Sequence, residues 1–286
     1  MNADVRVIYE KEEDIAIIRV VNPPVNTLTP AVRRLLIAAL AESRASSTVR
    51  ASILLGEGRG FIAGADLEEL DSGVQSPDLW DLTQALEEGS KPVIAALHGF
   101  ALGGGLAVAL ACDRRVAAVG CIVGFPEVSL GLIPSFGATQ YLSRIVGVEV
   151  ALDLVTSGRR INETEAKDLG LVDEVTTVDK LLSSAKAAAR EILANGKVRR
   201  PVGTRSVTPD INLQSLIANA ISAVIPEQLT ARAQLAGIEA VGAAQTMPLE
   251  RGVKREAELQ AELMLSPESN ELRRRFREGR ARRQNR

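Results

Sequence analysis

Three consecutive glycines between an apolar strand and an apolar helix constrain this chain more than any other feature. The strand reads Val93-Ile94-Ala95-Ala96-Leu97, and the junction runs from His98 to Gly103-Gly104-Gly105. A wholly apolar helical stretch then covers residues 106–112. Glycines at such a junction let another group approach bare backbone, because no Cβ stands in the way. The first N–H groups of the helix have no partner inside it, and the helix dipole favours negative charge there. The junction can therefore build an oxyanion pocket from main chain alone. A second apolar run, Ile122-Val123-Gly124-Phe125, delivers Pro126 and Glu127. A carboxylate set directly after a buried strand sits half out of water, and burial raises its pKa toward useful base strength. An oxyanion site with a poised carboxylate is the chemistry this stretch predicts.

Strands and helices alternate around it. Residues 5–9 and 15–20 read as strands split by Lys11-Glu12-Glu13-Asp14. Thr29 before Pro30 is an N-cap followed by proline at the first helical position, predicting a helix to about residue 43. Residues 51–55 form a short apolar strand. Gly56, Gly58 and Gly60 after it mimic a dinucleotide fingerprint, but Phe61 stands where that motif needs its last glycine, and Phe61-Ile62-Ala63 continues as strand. Residues 65–70 and 78–88 read as helices, with the Ser/Gly/Pro loop 71–77 between them as a lid. Helices follow at 137–146 and 149–156. Asn162-Glu163-Thr164-Glu165 starts another that Gly170 stops. A strand at 171–175 and a surface helix at 180–195 complete an α/β core over residues 1–200.

Residues 196–209 read as a linker. Beyond it, residues 201–286 form a helical region for oligomerisation or for covering the active site. Leu213, Leu216, Ile217, Ala220, Ile221 and Val224 make one apolar stripe at helical spacing, the mark of core or subunit contact. Residues 251–265 form another helix, which Pro267 interrupts. The stretch 271–286 carries eight arginines against two glutamates. Phe276 is its single aromatic, too few to stack bases, so it reads as a solvated helix face, and no nucleic-acid partner is expected.

Composition excludes several classes. At 286 residues and 46% apolar, the chain can bury a sizeable core, and a net charge of −2 carries no nucleic-acid or membrane signature. Cys112 and Cys121 both lie in apolar runs and read as buried free thiols of a reducing compartment. No secretory signal is visible, and no uncharged run approaches the roughly 20 residues of a membrane span, so a cytoplasmic location is expected. With His98 as the one histidine, neither a metal site nor a Ser-His-Asp triad is expected.

Lys91-Pro92-Val93-Ile94-Ala95-Ala96, Gly99-Phe100-Ala101-Leu102-Gly103-Gly104-Gly105, Phe125-Pro126-Glu127-Val128 and Leu130-Gly131-Leu132-Ile133-Pro134 resemble the signature of the enoyl-CoA hydratase/isomerase (crotonase) family. Gly60-Phe61-Ile62-Ala63-Gly64-Ala65-Asp66-Leu67 resembles its other hallmark. The likeness covers residues 5–195, and residues 246–280 resemble the helical end of the hydratase/isomerase part of multifunctional β-oxidation enzymes. It implies an α/β spiral of strand-strand-helix turns, a C-terminal helical region, and assembly as a homotrimer or a hexamer of two trimers. It implies chemistry on acyl-CoA thioesters, with CoA as part of the substrate and no separate cofactor. By motif position, the oxyanion donors are the N–H groups of Ala65 and Gly104. Backbone of Ala63, Asp66 and Leu67 is expected to hold the CoA adenine.

One position departs from the pattern. Family hydratases carry a glutamate just inside the glycine-loop helix besides the one matching Glu127; here that position is Ala107. Two carboxyls holding a water divide the work of hydration, whereas one base can move a proton between two carbons of one substrate. Double-bond isomerisation is thus expected over hydration. The alternatives are a 2-enoyl-CoA hydratase with a substitute acid from among Asp66, Glu68, Glu69 or Ser135, and a non-catalytic acyl-CoA-binding homologue.

Overall fold

The computed structural model describes residues 5–195, 201–207 and 212–284. The chain divides into two compact units, Met1–Gly124 with Ile161–Arg205, and Phe125–Arg160 with Ser206–Arg286.

The first unit opens with β1 (Arg6–Glu12) and β2 (Ile15–Val21), an antiparallel hairpin that pairs Glu12 with Ile15. Thr29 accepts the Val32 N–H at 3.3 Å and Pro30 takes the first position of α1 (Pro30–Ala45), as the sequence predicts. β3 (Ala51–Gly56) returns parallel to β2 and is buried throughout. After α2 (Leu67–Ser72) and α3 (Leu79–Glu87) comes β4 (Val93–Leu97), again fully buried. A parallel strand covered on both faces reads as an unbroken apolar run, and Val93-Ile94-Ala95-Ala96-Leu97 is one. β5 (Phe100–Leu102), α4 (Gly104–Ala111), β6 (Arg114–Ala118) and β7 (Ile122–Gly124) complete this stretch.

In the second unit, a 3-10 turn at Pro126–Leu130 leads to α5 (Ala138–Val146) and α6 (Val148–Ser157). The chain rejoins the first unit through β8 (Arg160–Asn162), α7 (Glu163–Asp168), β9 (Glu174–Thr176) and α8 (Leu181–Ala194). The second unit then gains α9 (Leu213–Ser222), α10 (Ala231–Thr246), α11 (Leu249–Met264) and α12 (Pro267–Gln284). Pro267 opens α12, where a missing N–H costs nothing. Half of the expected linker, 196–200 and 208–209, lies outside the described residues.

The main sheet of the first unit has the order β1-β2-β3-β4-β6-β9, parallel beyond the first pair. Ile17, Ile53, Ile94, Ala96 and Val116 on one face pack against Leu181, Ala185, Ala188 and Ala189 of α8. A smaller sheet runs β5-β7-β8.

The strands differ from expectation in several places: β5 and β8 have no counterpart in the sequence reading, and 61–63 forms an isolated bridge at Ile62 rather than a strand. The strand expected at 171–175 forms at Glu174–Thr176 instead. The Leu171 and Val172 N–H groups both turn back to the Ala166 carbonyl, at 2.8 and 3.0 Å, and the Leu171 carbonyl accepts from Arg115 Nε. β6 has no counterpart in the sequence reading, since it opens on two arginines. Arg115 is nonetheless buried, paired to Asp173 at 2.8 Å and donating to the Cys112 carbonyl.

Candidate active site

Two glycine turns of the first unit lie side by side. Gly64 sits at φ 119° and Gly103 at φ 52°, conformations that side chains rarely adopt. Ile62 bridges Ala101 in parallel, and the Leu102 N–H reaches the Ile62 carbonyl at 3.1 Å, so segments 62–65 and 101–104 run together. The Gly103 N–H donates to the Gly124 carbonyl at 2.9 Å.

Gly104 and Gly105 are required for different reasons. A Cβ on Gly105 would stand 2.2 Å from the Ile62 carbonyl oxygen, so this glycine lets the two segments touch. A Cβ on Gly104 would stand 3.3 Å from the Ala65 nitrogen and 2.9 Å from Leu79 Cδ2. That glycine lets the start of α4 lie close to the Ala65 backbone nitrogen. Gly104 is the first residue of α4, where the N–H has no partner inside the helix. The Ala65 N–H has no acceptor among the described residues. Two neighbouring backbone donors without acceptors can stabilise an oxygen on which charge develops.

The flank of this site is committed to structure. Ala63 donates its N–H to Val25 at 3.0 Å and is half-buried. Asp66 is the N-cap of α2, its Oδ1 accepting the Glu68 N–H at 3.0 Å. Leu67 begins α2, and its side chain lies outside the described residues. Glu69 is buried and receives both ends of the Arg33 guanidinium, at 2.6 and 2.8 Å. Arg33 also donates to the carbonyls of Leu28, Gln75 and Pro77 at 2.6, 2.9 and 2.6 Å. Burial pushes the Glu69 carboxyl up, but the bonds from Arg33 and the Gln75 N–H outweigh it and hold the group below the usual carboxylate range. The loop expected as a lid is thus anchored at Gln75 and Pro77 by one buried arginine.

α4 is buried from Gly105 to Ala111, and Ala107 presents only a methyl there. Glu127 belongs to the second unit, on the 3-10 turn that Gly131 ends in the left-handed conformation. The residue as a whole is half-buried, but Oε2 is shut from solvent and has no hydrogen-bond partner. Burial pushes this carboxyl up to about 7, against a lowering from its own backbone N–H and with a smaller upward push from the charge of Glu256. A carboxyl of that strength exchanges protons at neutral pH.

Ser135 is half-buried, its carbonyl accepting the Ala138 N–H at 3.3 Å. His98 lies 3.1 Å from the Gly58 carbonyl at a strand end. Both cysteines are free and buried, and burial pushes the Cys121 thiol up to about 12. That thiol stays protonated and is inert. Among the described residues no helix is long and apolar enough to cross a membrane.

Two charged residues escape a reading of the sequence alone. Arg33 looks like any arginine on an amphipathic helix. Glu256 left a signal that went unread, for it occupies a buried position of the α11 stripe Gly252, Leu259 and Leu263. A glutamate in an apolar stripe announces a buried partner.

The alternating strands and helices, followed by C-terminal helices, define a fold of crotonase type. The profile of the enoyl-CoA hydratase/isomerase family matches residues 10–212, and the chain belongs to that family. It is 37% identical over 264 residues to the peroxisomal bifunctional enzyme of Danio rerio, covering 91% of this chain and 36% of that protein. The chain thus spans about a third of the length of the bifunctional relatives it matches. Among solved structures it is similar to an enoyl-CoA hydratase from Bacillus anthracis, with TM-score 0.62 and 28% identity over 96% of both chains. A monofunctional enoyl-CoA isomerase from M. smegmatis gives TM-score 0.57 and 32% identity over 68% of this chain and 86% of that one.

Proposed function

We propose that this enzyme isomerises the double bond of an enoyl-CoA thioester, with the N–H groups of Ala65 and Gly104 as oxyanion donors and Glu127 as the base. Removing a proton from the carbon next to the thioester carbonyl gives an enolate, and the two donors stabilise its oxygen. Glu127 takes that proton and returns it further along the acyl chain. Backbone of Ala63, Asp66 and Leu67 holds the CoA adenine, and CoA enters only as part of the substrate. The observation that carries the reading is the closeness of Gly104 to the Ala65 nitrogen, whose N–H has no acceptor among the described residues.

The preference for isomerisation rests on Ala107 and on the engagement of two candidate substitutes. Asp66 caps α2 and Glu69 is locked to Arg33, so neither is free to hold a water. The names of several relatives favour a second reading, 2-enoyl-CoA hydration, in which Glu68 or Ser135 supplies the missing function. For assembly we propose a homotrimer or a hexamer of two trimers. The supporting feature is α9, whose apolar stripe has no fully buried residue in the single chain.

Glu127→Gln tests the base. It keeps the shape but removes the proton acceptor, so turnover of a 3-enoyl-CoA falls about 10²–10⁴-fold while acyl-CoA binding persists. Unchanged turnover would remove Glu127 from the mechanism. Wild-type protein that binds acyl-CoA and never turns it over would favour a non-catalytic homologue.

A further inference from the structure

The turn that carries Glu127 is held by one face of a C-terminal helix. The Leu132 N–H donates to the Glu127 carbonyl at 3.1 Å, and the next N–H, that of Ile133, donates to Gln260 Oε1 at 3.1 Å. Further on, the N–H groups of Gly137 and Thr139 reach Glu256 at 2.7 and 2.9 Å, and the Thr139 hydroxyl donates to the same carboxylate. Glu256 and Gln260 are neighbours one turn apart on α11. One turn before them is Gly252, where a Cβ would stand 2.1 Å from Gln140 Oε1. Positions 252, 256 and 260 therefore dock on residues 133–140 by contacts that demand a glycine, an anion and an amide in turn. α12 adds the Ser269 hydroxyl, which donates to the Leu130 carbonyl at 3.0 Å.

Packing alone does not call for this arrangement. Leu259 and Leu263 fill the apolar part of the same face, and Glu256 is 0% exposed. A fully buried carboxylate is costly unless donors surround it, and it often stabilises less than a well-packed apolar residue would. Its presence at the end of the base-bearing segment points to a task besides folding.

We propose that Glu256 is a positioning residue for Glu127: it pins the segment that follows the base and sets a second buried negative charge within its electrostatic reach. The proposal rests on the reading of Glu127 as the base. It makes the C-terminal helices part of the machinery that decides when Glu127 holds a proton.

The elements packed around the turn carry other charges. α6, packed on the 3-10 turn, brings Glu149 and Asp153, the latter paired with Arg159. α12 brings Glu268, whose Oε2 is buried without a partner, and Arg273, which donates to Ser269 Oγ and Asn270 Oδ1. The charge that acts on Glu127 is that of Glu256. Burial pushes both carboxyls up to about 7. Three donors favour the anion of Glu256, whereas Glu127 Oε2 has none, so Glu256 ionises first and Glu127 keeps its proton to higher pH.

Glu256→Gln tests this, since it keeps the volume and one acceptor oxygen but removes the charge. In the full chain, the acid limb of kcat/KM for enoyl-CoA moves to lower pH, and the fraction of plateau activity kept at pH 6 rises about threefold. An acid limb that stays in place in the folded variant overturns the proposal. A second measurement needs neither a variant nor turnover. In wild-type protein labelled with ¹³C at glutamate carboxyls, Glu127 should titrate in two coupled steps. A single independent step overturns the proposal. Coupled titration in a protein without turnover would instead defeat the reading of Glu127 as the base and leave the coupling standing.

Discussion

Gly104→Ala should separate catalysis from folding. The new methyl would lie 3.3 Å from the Ala65 nitrogen, and under the proposed mechanism an oxygen must approach that donor to roughly 2.7–3.1 Å. The methyl is expected to crowd an oxyanion bound there. Losing one oxyanion donor costs about 10²–10³ in kcat, so at least a 100-fold loss is expected. Stability should change little. Gly104 has no left-handed strain, and trading glycine for alanine stabilises by about 0.4–1 kcal/mol through the unfolded chain. Against this stands the contact at 2.9 Å with Leu79 Cδ2, the end of a side chain that can turn; overpacking of this kind costs about 1–3 kcal/mol. The net loss is on the order of 1 kcal/mol. Gly105→Ala is the control. Its methyl would meet the Ile62 carbonyl at 2.2 Å, and backbone cannot turn aside, so about 3 kcal/mol or more should be lost. Urea denaturation and turnover of a 3-enoyl-CoA, measured on both variants, give the two readouts. Gly104→Ala with kcat within about threefold of wild type would refute the oxyanion assignment.

Other consequences are as direct. Glu127 is raised to about 7 in the folded chain, so the stability it contributes is full below its unfolded value near 4.5 and is lost as pH rises through about 7. Glu127→Gln lacks this loss, so its stability relative to wild type should grow by about 2 kcal/mol between pH 5 and pH 8; equal urea midpoints throughout would contradict the burial argument. Ala107→Glu should raise crotonyl-CoA hydration, because a second carboxylate orients the water. It should also cost a few kcal/mol, since position 107 is fully buried. Hydration unchanged by the substitution would show that another group already does this work. Arg33→Met should cost about 3–5 kcal/mol by stranding Glu69, and adding Glu69→Leu should recover most of it. A single variant as stable as wild type would show that the clamp on residues 75–77 is dispensable.

Much of the fold was legible because local signals and burial agree. Thr29-Pro30 caps α1 as its spelling requires, and the apolar run at 93–97 is a strand buried on both faces. The glycine turns were legible for the same reason, since Gly64 and Gly103 occupy backbone conformations that exclude most residues. Signals failed where a partner distant in sequence decides the outcome. β6 starts on Arg114 and Arg115, and Arg115 is buried only because Asp173 and the Leu171 carbonyl await it. The strand near 174 starts late for the same cause. Glu69 read as a spare acid, but Arg33, far earlier in the chain, claims both its oxygens. Which helix holds the segment after Glu127 could not be read either, because Gly137 and Glu256 are 119 residues apart.

The proposal that one base and a pair of backbone donors make this chain an isomerase turns on two relative rates. Crotonyl-CoA and a 3-enoyl-CoA, offered side by side to the unmodified protein, test it most directly. Isomerisation of the 3-enoyl-CoA should exceed hydration of crotonyl-CoA by at least about 100-fold in kcat/KM, the contribution of one positioned acid or base. Hydration as fast as isomerisation would contradict it.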